Sequence, residues 1–219
     1  MQLIEQLKLF QETDNELILE EQFDKLASTF LYGGYLQVRN EYKVFIRTVE
    51  FYYHSEKENG IHDPIVYHRN KQGLLHVPYF PIMTLHAHTS GFDITFENPI
   101  NKYRASALIR AYEIKTLDNG YLKWEKVQDN KWMFIEKKEY QFNTQSTYLY
   151  SILNGFDIGY GGGIQWIDEE RPKGTPIKRT RSNVFKSLNA FEYKPFIIDK
   201  NGQKVKCTRK WSFTRTEKV

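Results

Sequence analysis

Apolar positions along the 219-residue chain follow two periods. Over residues 1–32 they recur every three or four positions, first in LIEQLKLF and then in NELILEEQFDKLASTFLY. There Leu17, Phe23, Leu26 and Phe30 would share one side of a helix. Thr13 or Asp14 can cap this second helix and Gly33-Gly34 can end it. Beyond them the period shortens to two. YLQVRN, YKVFIRTVEFYYH, MTLHAHT, FDITFE, SALIRAYEIK and KWMFIEKKEYQF are β-rich runs separated by Gly, Pro and Asn. A further helix is expected in TQSTYLYSILNGF, and further strands in GIQWID, TPIKRT, FEYKPFII and KVKCTRKWSFTR. With no internal repeat or low-complexity linker, the expectation is one α+β domain over residues 1–219. Its parts are N-terminal helices (1–32), a sheet-rich core (35–200) and a basic C-terminal strand (201–219). The sheet is expected to be curved and mostly antiparallel, with a few helices packed at its edge.

Composition supports this and narrows the setting. Fifteen Phe, fifteen Tyr and four Trp suit pleated, half-buried surfaces. No apolar run approaches the roughly 18 residues that a membrane span needs. The N-terminal MQLIEQLKLFQE lacks the basic and apolar regions of a signal peptide, and Cys207 stands alone. A cytoplasmic protein with no membrane partner is therefore expected.

The net charge of +4 is unevenly distributed. Residues 1–100 hold 8 Lys and Arg against 14 Asp and Glu, while residues 101–219 hold 23 against 13. Positive charge gathers in RPKGTPIKRTRSNVFK, with Lys178, Arg179 and Arg181, and in KVKCTRKWSFTRTEK, with Arg209 and Lys210. Such stretches can neutralise phosphates or form a solvated basic surface.

Candidate chemistry concentrates earlier. All six histidines fall within the 35 residues from His54 to His88, and strand alternation gives His86 and His88 one face. With His68, Asp63 or Glu97 they suggest either a metal site or the wall of an aromatic pocket. Glu50, between apolar neighbours at the end of a long strand, can be a general base or a strand-end acid facing water. Arg110, in the apolar SALIRAYE, needs a carboxylate partner, and Glu50, Glu97 and Glu113 are candidates. GYGGG (159–163) lacks the Lys-Ser/Thr of a phosphate loop and reads as a turn. Cys207 has no activating base nearby in sequence.

Taken in order, several motifs resemble the alkyladenine (3-methyladenine) DNA glycosylase family over about residues 15–200, with gaps. TVEFY is similar to the family strand ending Glu-Thr-Glu-Ala-Tyr, matching its second acid with Glu50 and its tyrosine with Tyr52. DPIVYH resembles the Asp-Pro-Ala-Ser-His segment through Asp63, Pro64 and His68, with one extra residue. YFPIMTLHAHTSGF is similar to a family segment running into a Tyr-Gly turn, with His86 and His88 in the places of pocket tyrosines. DITFEN and ALIRAYE resemble the strands that follow, STYLYSILNGFD a later helix, and YKPFII the closing strand.

The resemblance implies hydrolysis of the N-glycosidic bond of a flipped, damaged purine in double-stranded DNA, by a monomer that needs no metal or organic cofactor. Glu50 would activate water and Arg110 would help to place it. Tyr52, His68, His86 and His88 would line the pocket, and Glu97 would contribute to base choice. Lys178, Arg179, Arg181, Arg209 and Lys210 would hold phosphates. The chain departs from the family pattern at Thr48, which replaces the first acid, and at Ser90, where the duplex wedge tyrosine is missing. Phe92, Tyr79 or Phe80 could supply the wedge. Glu97 replaces an asparagine, which would favour amino-bearing or cationic bases. Two other functions fit the same residues. One is a non-hydrolytic nucleic-acid binder of the same fold, and the other a metal-dependent small-molecule enzyme using His68, His86 and His88.

Overall fold

The computed structural model describes residues 2–38, 40, 42–63, 78–88, 91–116, 122–127, 132–135, 138–141, 164–169, 171–172, 174–181, 196–198, 204–206 and 209–216. The side chains of residues 86–92 lie outside the description. So do His68, Cys207, the GYGGG turn and the helix expected in TQSTYLYSILNGF.

Two helices precede the strands, α1 (Leu3–Lys8) and α2 (Glu16–Tyr32). Asn15, rather than Thr13 or Asp14, caps α2, because its side chain accepts from the N–H groups of Leu17 and Ile18. Gly33 closes the helix, donating to Thr29 O at 2.8 Å. The buried stripe of α2 runs through Leu19, Phe23, Leu26, Ala27 and Phe30, whereas Leu17 is 71% exposed. The expected stripe is thus corrected at its first position: Leu17 lies in the opening turn, just outside the face that meets the sheet.

Among the described residues thirteen strands follow: β1 (Gly34–Val38), β2 (Tyr42–Ser55), β3 (Leu85–His88), β4 (Gly91–Thr95), β5 (Tyr103–Thr116), β6 (Leu122–Val127) and β7 (Trp132–Ile135), then β8 (Lys138–Gln141), β9 (Ile164–Asp168), β10 (Ile177–Arg179), β11 (Phe196–Ile198), β12 (Lys204–Lys206) and β13 (Ser212–Thr214). Eleven form one sheet with the path β10-β13-β2-β5-β6-β7-β8. Around it, β1 pairs with β2 and β9, β4 with β5, and β3 with β4. Every described pairing is antiparallel, and the architecture is α+β. No helix of the described residues is long and apolar enough to cross a membrane.

The long strands β2 and β5 organise everything else. Their alternation separates two faces. Val49, Phe51 and Tyr53 of β2, with Ala105, Ala107 and Ile109 of β5, enter the main core against α2. Phe23 of α2 stacks on Phe51 with ring centroids 4.6 Å apart and planes 6° apart, and Trp211 meets Phe23 edge-on at 5.1 Å. Burial of such aromatic rings is worth about 1.5–3 kcal/mol each, enough to fix α2 on this face.

β2 changes neighbours along one edge, from β1 at residues 42–44 to β13 at residues 48–50. Beside this change the C-terminal end of α2 presents Leu31 O, which accepts from Arg171 Nη2 at 3.4 Å and Arg215 Nη1 at 3.1 Å. Burial, with Arg215 close by, pulls the Arg171 guanidinium down to about 10. The C-terminal stretch is therefore no appendage: β13 lies in the sheet directly beside Glu50.

Candidate active site

The register defines the second face of the sheet as a grid. Glu50, Tyr52 and His54 of β2 stand opposite Leu108, Ser106 and Arg104 of β5. On the far side of β5, Asp93 and Thr95 of β4 stand opposite Leu108 and Ser106. The ladder continues past β4, since Phe96 N–H donates to Ala105 O and Asn98 pairs with Tyr103, which brings Glu97 level with Arg104. Directly opposed residues in an antiparallel pair project from the same face. Each of these nine residues is at most 6% exposed, and Tyr52 and Leu108 form an apolar cluster separate from the main core. This face therefore carries buried polar groups that hydrophobic packing does not account for.

Glu50 is the centre of the site. Tyr52 Oη donates to Glu50 Oε2 at 3.1 Å, and Arg110 Nε lies 3.8 Å from the same oxygen. Arg110 reaches it through an irregularity in the ladder. Thr48 pairs with Ala111 but Val49 pairs with Ile109, so Arg110 falls outside the one-to-one register. On the other side of Thr48, Arg47 is skipped in the same way and its Nε lies 3.3 Å from Glu113 Oε1. Bulges of this kind redirect side chains. Both bulged residues here are arginines, and each meets a buried carboxylate. Of the partners open to Arg110 in the sequence, the structure joins it to Glu50 and gives Glu113 to Arg47.

A second buried ion pair supports Tyr52 from above. Arg181 donates to both oxygens of Asp63, at 2.6 and 3.3 Å, and to Phe51 O at 3.2 Å. Its guanidinium lies 4.6 Å from the Tyr52 ring centroid and 4.9 Å from that of Trp211. Burial pushes the Tyr52 hydroxyl well above its ordinary range, and Glu50 adds to the effect against the pull of Arg181 and Arg110. Tyr52 thus remains a neutral donor to Glu50. The N–H of Asp63 donates to His54 Nδ1 at 3.2 Å, and the His54 and His62 rings are 5.1 Å apart.

At the other corner of the grid, Glu97 Oε2 accepts from Phe80 N–H at 2.8 Å and from Arg104 Nη1 at 3.4 Å. Arg104 also reaches Glu56 at 2.8 Å and covers the Tyr79 ring at 4.1 Å. Burial pushes the Glu97 carboxyl up to about 7, with Phe80 N–H and Arg104 opposing. Glu97 is level with His54, two rows from Glu50, and its known contacts hold the 78–80 segment to the sheet. Of the wedge candidates, Tyr79 is covered by Arg104 and Phe80 is tied by its backbone to Glu97.

His86 pairs with Asp93 and His88 with Gly91 in the β3–β4 ladder, which puts His86 in the row of Asp93, Leu108 and Glu50, at the edge of the grid opposite β2. Among the described residues, no group of three His, Cys, Asp or Glu is placed to hold a metal ion. The five basic residues expected to hold phosphates divide. Lys178, Arg179 and Lys210 are exposed, Lys178 being paired with Asp24. Arg181 and Arg209 are each 7% exposed and pair with acids of the chain, the buried Asp63 and the exposed Glu16, and Arg209 also donates to His62 O at 3.2 Å. A groove of about 600 Å³ between α1 and α2, lined by Phe10, Ile18 and Gln22 among others, lies away from these groups.

The sequence did not single out Asp93, Ser106 or the Asp63–Arg181 pair. The signal for Asp93 was its two-residue spacing from Thr95 and Glu97, which places all three on one face once the strand is known. Comparisons with protein-family models, curated proteins and solved structures found no match for this chain.

Proposed function

We propose that the chain is a DNA glycosylase that hydrolyses the N-glycosidic bond of alkylated purines. The observation that carries this is the Glu50 carboxylate, buried beside the apolar Tyr52–Leu108 pair and held by the Tyr52 hydroxyl and the Arg110 guanidinium. A second support is that TVEFY, the TLHAHTSGF hairpin and ALIRAYE, which carry the family resemblance, occupy adjacent strands of one sheet.

The chemistry needs a base, an orienting cation and an enclosed apolar surface. A flipped nucleotide leaves the stack and lays its base on the grid. Glu50 accepts a proton from water as the water oxygen bonds to C1′. The C1′–N bond breaks, and its electron pair stays on the purine nitrogen. Arg110 and the Tyr52 hydroxyl hold the carboxylate in one orientation, which confers the advantage of proximity. The partner is double-stranded DNA, bound by a monomer in the cytoplasm through exposed cations such as Arg179 and Lys210.

The test is base release from duplexes containing 3-methyladenine, 7-methylguanine, ethenoadenine or hypoxanthine. Release by the native chain and none by Glu50→Gln is the expected outcome, and equal release by both would refute the mechanism. One observation favours a second reading, a nucleic-acid binder without hydrolysis. Glu50 Oε2 already meets both Tyr52 and Arg110, as in a structural ion pair. Tight DNA binding with no release from any lesion would identify that function.

A further inference from the structure

Helices α1 and α2 leave between them the groove of about 600 Å³ noted above. Phe10 and Leu26, 5% and 2% exposed, form its floor. Leu9 and Ile18 also line it and are 62% and 48% exposed. Exposed aliphatic side chains gathered at a concave, polar-rimmed surface mark a place of interaction. A second cavity of about 390 Å³, lined by Asp14, Glu58 and Gly60 among others, shares Glu12 and Thr13 with the first. The two therefore form one continuous concavity.

The groove is built in advance. Gln22 Oε1 accepts from Gln11 N–H at 2.8 Å and Gln22 Nε2 donates to Gln11 O at 3.0 Å, which fastens the α1–α2 connection to α2. Phe10 stacks on Phe23 with ring centroids 5.9 Å apart and meets Phe96 edge-on at 5.0 Å. Its carbonyl accepts from Tyr103 Oη at 3.2 Å. A floor tied to the core in this way does not have to be ordered when a partner arrives, which favours binding.

Charge indicates what covers it. Across both cavities the lining holds four acids, Glu12, Asp14, Glu21 and Glu58, against two bases, Lys25 and Lys57. Lys57 is paired with Glu12, which leaves Asp14, Glu21 and Glu58 against Lys25. The rim is thus acidic on a chain whose net charge is +4. We infer that this groove is the docking site for a basic amphipathic helix of a partner protein. Apolar side chains at helical spacing enter between α1 and α2, and lysines or arginines beside them meet the acidic rim. The lining shares no residue with the Glu50 site, so the inference is independent of the reaction proposed there.

Two synthetic peptides of about 14 residues, two heptads with leucine at the same helical positions, test this. One carries lysine and glutamine at the remaining positions, the other glutamate and glutamine. Fluorescence anisotropy at about 0.15 M salt reads their binding. The lysine peptide is expected to bind with a Kd of about 1–100 μM, and the glutamate peptide at least about tenfold more weakly. The field of the whole chain would give the opposite order, because the chain is net positive. Leu9→Ser with Ile18→Ser should weaken the lysine peptide at least about tenfold, as loss of anchor contacts does. Glu21→Lys with Glu58→Lys should cut the preference between the peptides to about threefold or less. Ile100→Ser should change neither affinity, since Ile100 is 88% exposed and lies outside both cavities. All five positions are exposed, so these variants keep the fold.

Equal affinity for the two peptides, no detectable binding of either, or binding that survives Leu9→Ser with Ile18→Ser overturns the inference. The same double variant tests two other occupants. A native dimer that it converts to a monomer in sedimentation would give the groove to a second copy of the chain. Phosphatidylserine vesicles that bind the native chain and not the variant would give it to a membrane surface. Either result overturns the assignment to a partner helix.

Discussion

Arg110 Nε lies 3.8 Å from Glu50 Oε2 because the β2–β5 ladder slips by one residue between them and Thr48. Glu50 is paired by backbone with Leu108, not with Arg110, so an unbroken ladder would have paired the arginine with Thr48. The bulge thus converts two residues of ordinary strands into a buried ion pair, supported from the other side by the Tyr52 hydroxyl. Removing one partner of such a pair leaves an uncompensated charge.

Arg110→Met is accordingly expected to destabilise the fold by about 3–5 kcal/mol. Glu50→Gln with Arg110→Met should cost less than the two single changes added together, with a coupling of about 1–3 kcal/mol. Urea unfolding of the four proteins measures this. Strict additivity would mean that the two side chains do not interact across the bulge.

The two faces of β2 should respond differently to truncation. Phe51→Ala empties the ring contact with Phe23 and is expected to cost about 3–5 kcal/mol. Tyr52→Phe removes one hydrogen bond to a carboxylate and should cost about 1.5–3 kcal/mol. If thermal unfolding showed Tyr52→Phe to be the worse change, the assignment of Phe51 to the main core and Tyr52 to the site would fail.

Glu97 gives the fold a pH dependence of definite sign. Its folded carboxyl titrates near 7, above the ordinary carboxylate range, so between about 4.5 and 7 the folded state holds more protons than the unfolded one. Stability should therefore fall as pH rises through that window and level off above it, by roughly 2–4 kcal/mol from this group. Glu97→Gln should lose this component, improving relative to the native chain as pH rises from 5 to 8. An unchanged pH profile in denaturant titrations would contradict the role assigned to burial.

The basic residues should separate by position. Arg181→Leu removes the guanidinium that meets both oxygens of Asp63 and is expected to destabilise by about 3–5 kcal/mol. Arg179→Ala and Lys210→Ala should leave stability within about 0.5 kcal/mol of the native value. If they hold phosphates, each should weaken DNA binding and reduce its salt slope by about 1. Affinities measured across a range of salt concentrations, alongside melting curves, test both halves.

Much of the scaffold was legible in the sequence because alternation is a strong signal in long strands. YKVFIRTVEFYYH and SALIRAYEIK became β2 and β5, and the helical periods became α1 and α2. β6 was missed because the apolar alternation of Leu122 and Trp124 breaks at Lys126. KWMFIEKKEYQF holds two strands, β7 and β8, and contains no Gly or Pro to mark where one stops and the next begins. Glu50, Tyr52 and Arg110 could be singled out, but not the bulge that joins them, since Arg110 continues the alternation without a break. Arg181 and Arg209 read as surface charges because their partners are distant in sequence, Asp63 by 118 residues and Glu16 by 193. Asp93 needed the register of two ladders at once, and local pattern does not supply that.

The measurement that bears most directly on the central claim is single-turnover release of 7-methylguanine from duplex DNA by the native chain and by Glu50→Gln, with DNA affinity measured in parallel. The prediction is equal affinity and a loss of release of at least about 100-fold in the variant, the lower range for a general base. Release at the native rate by Glu50→Gln would show that the carboxylate held by Tyr52 and Arg110 is structural and not the base.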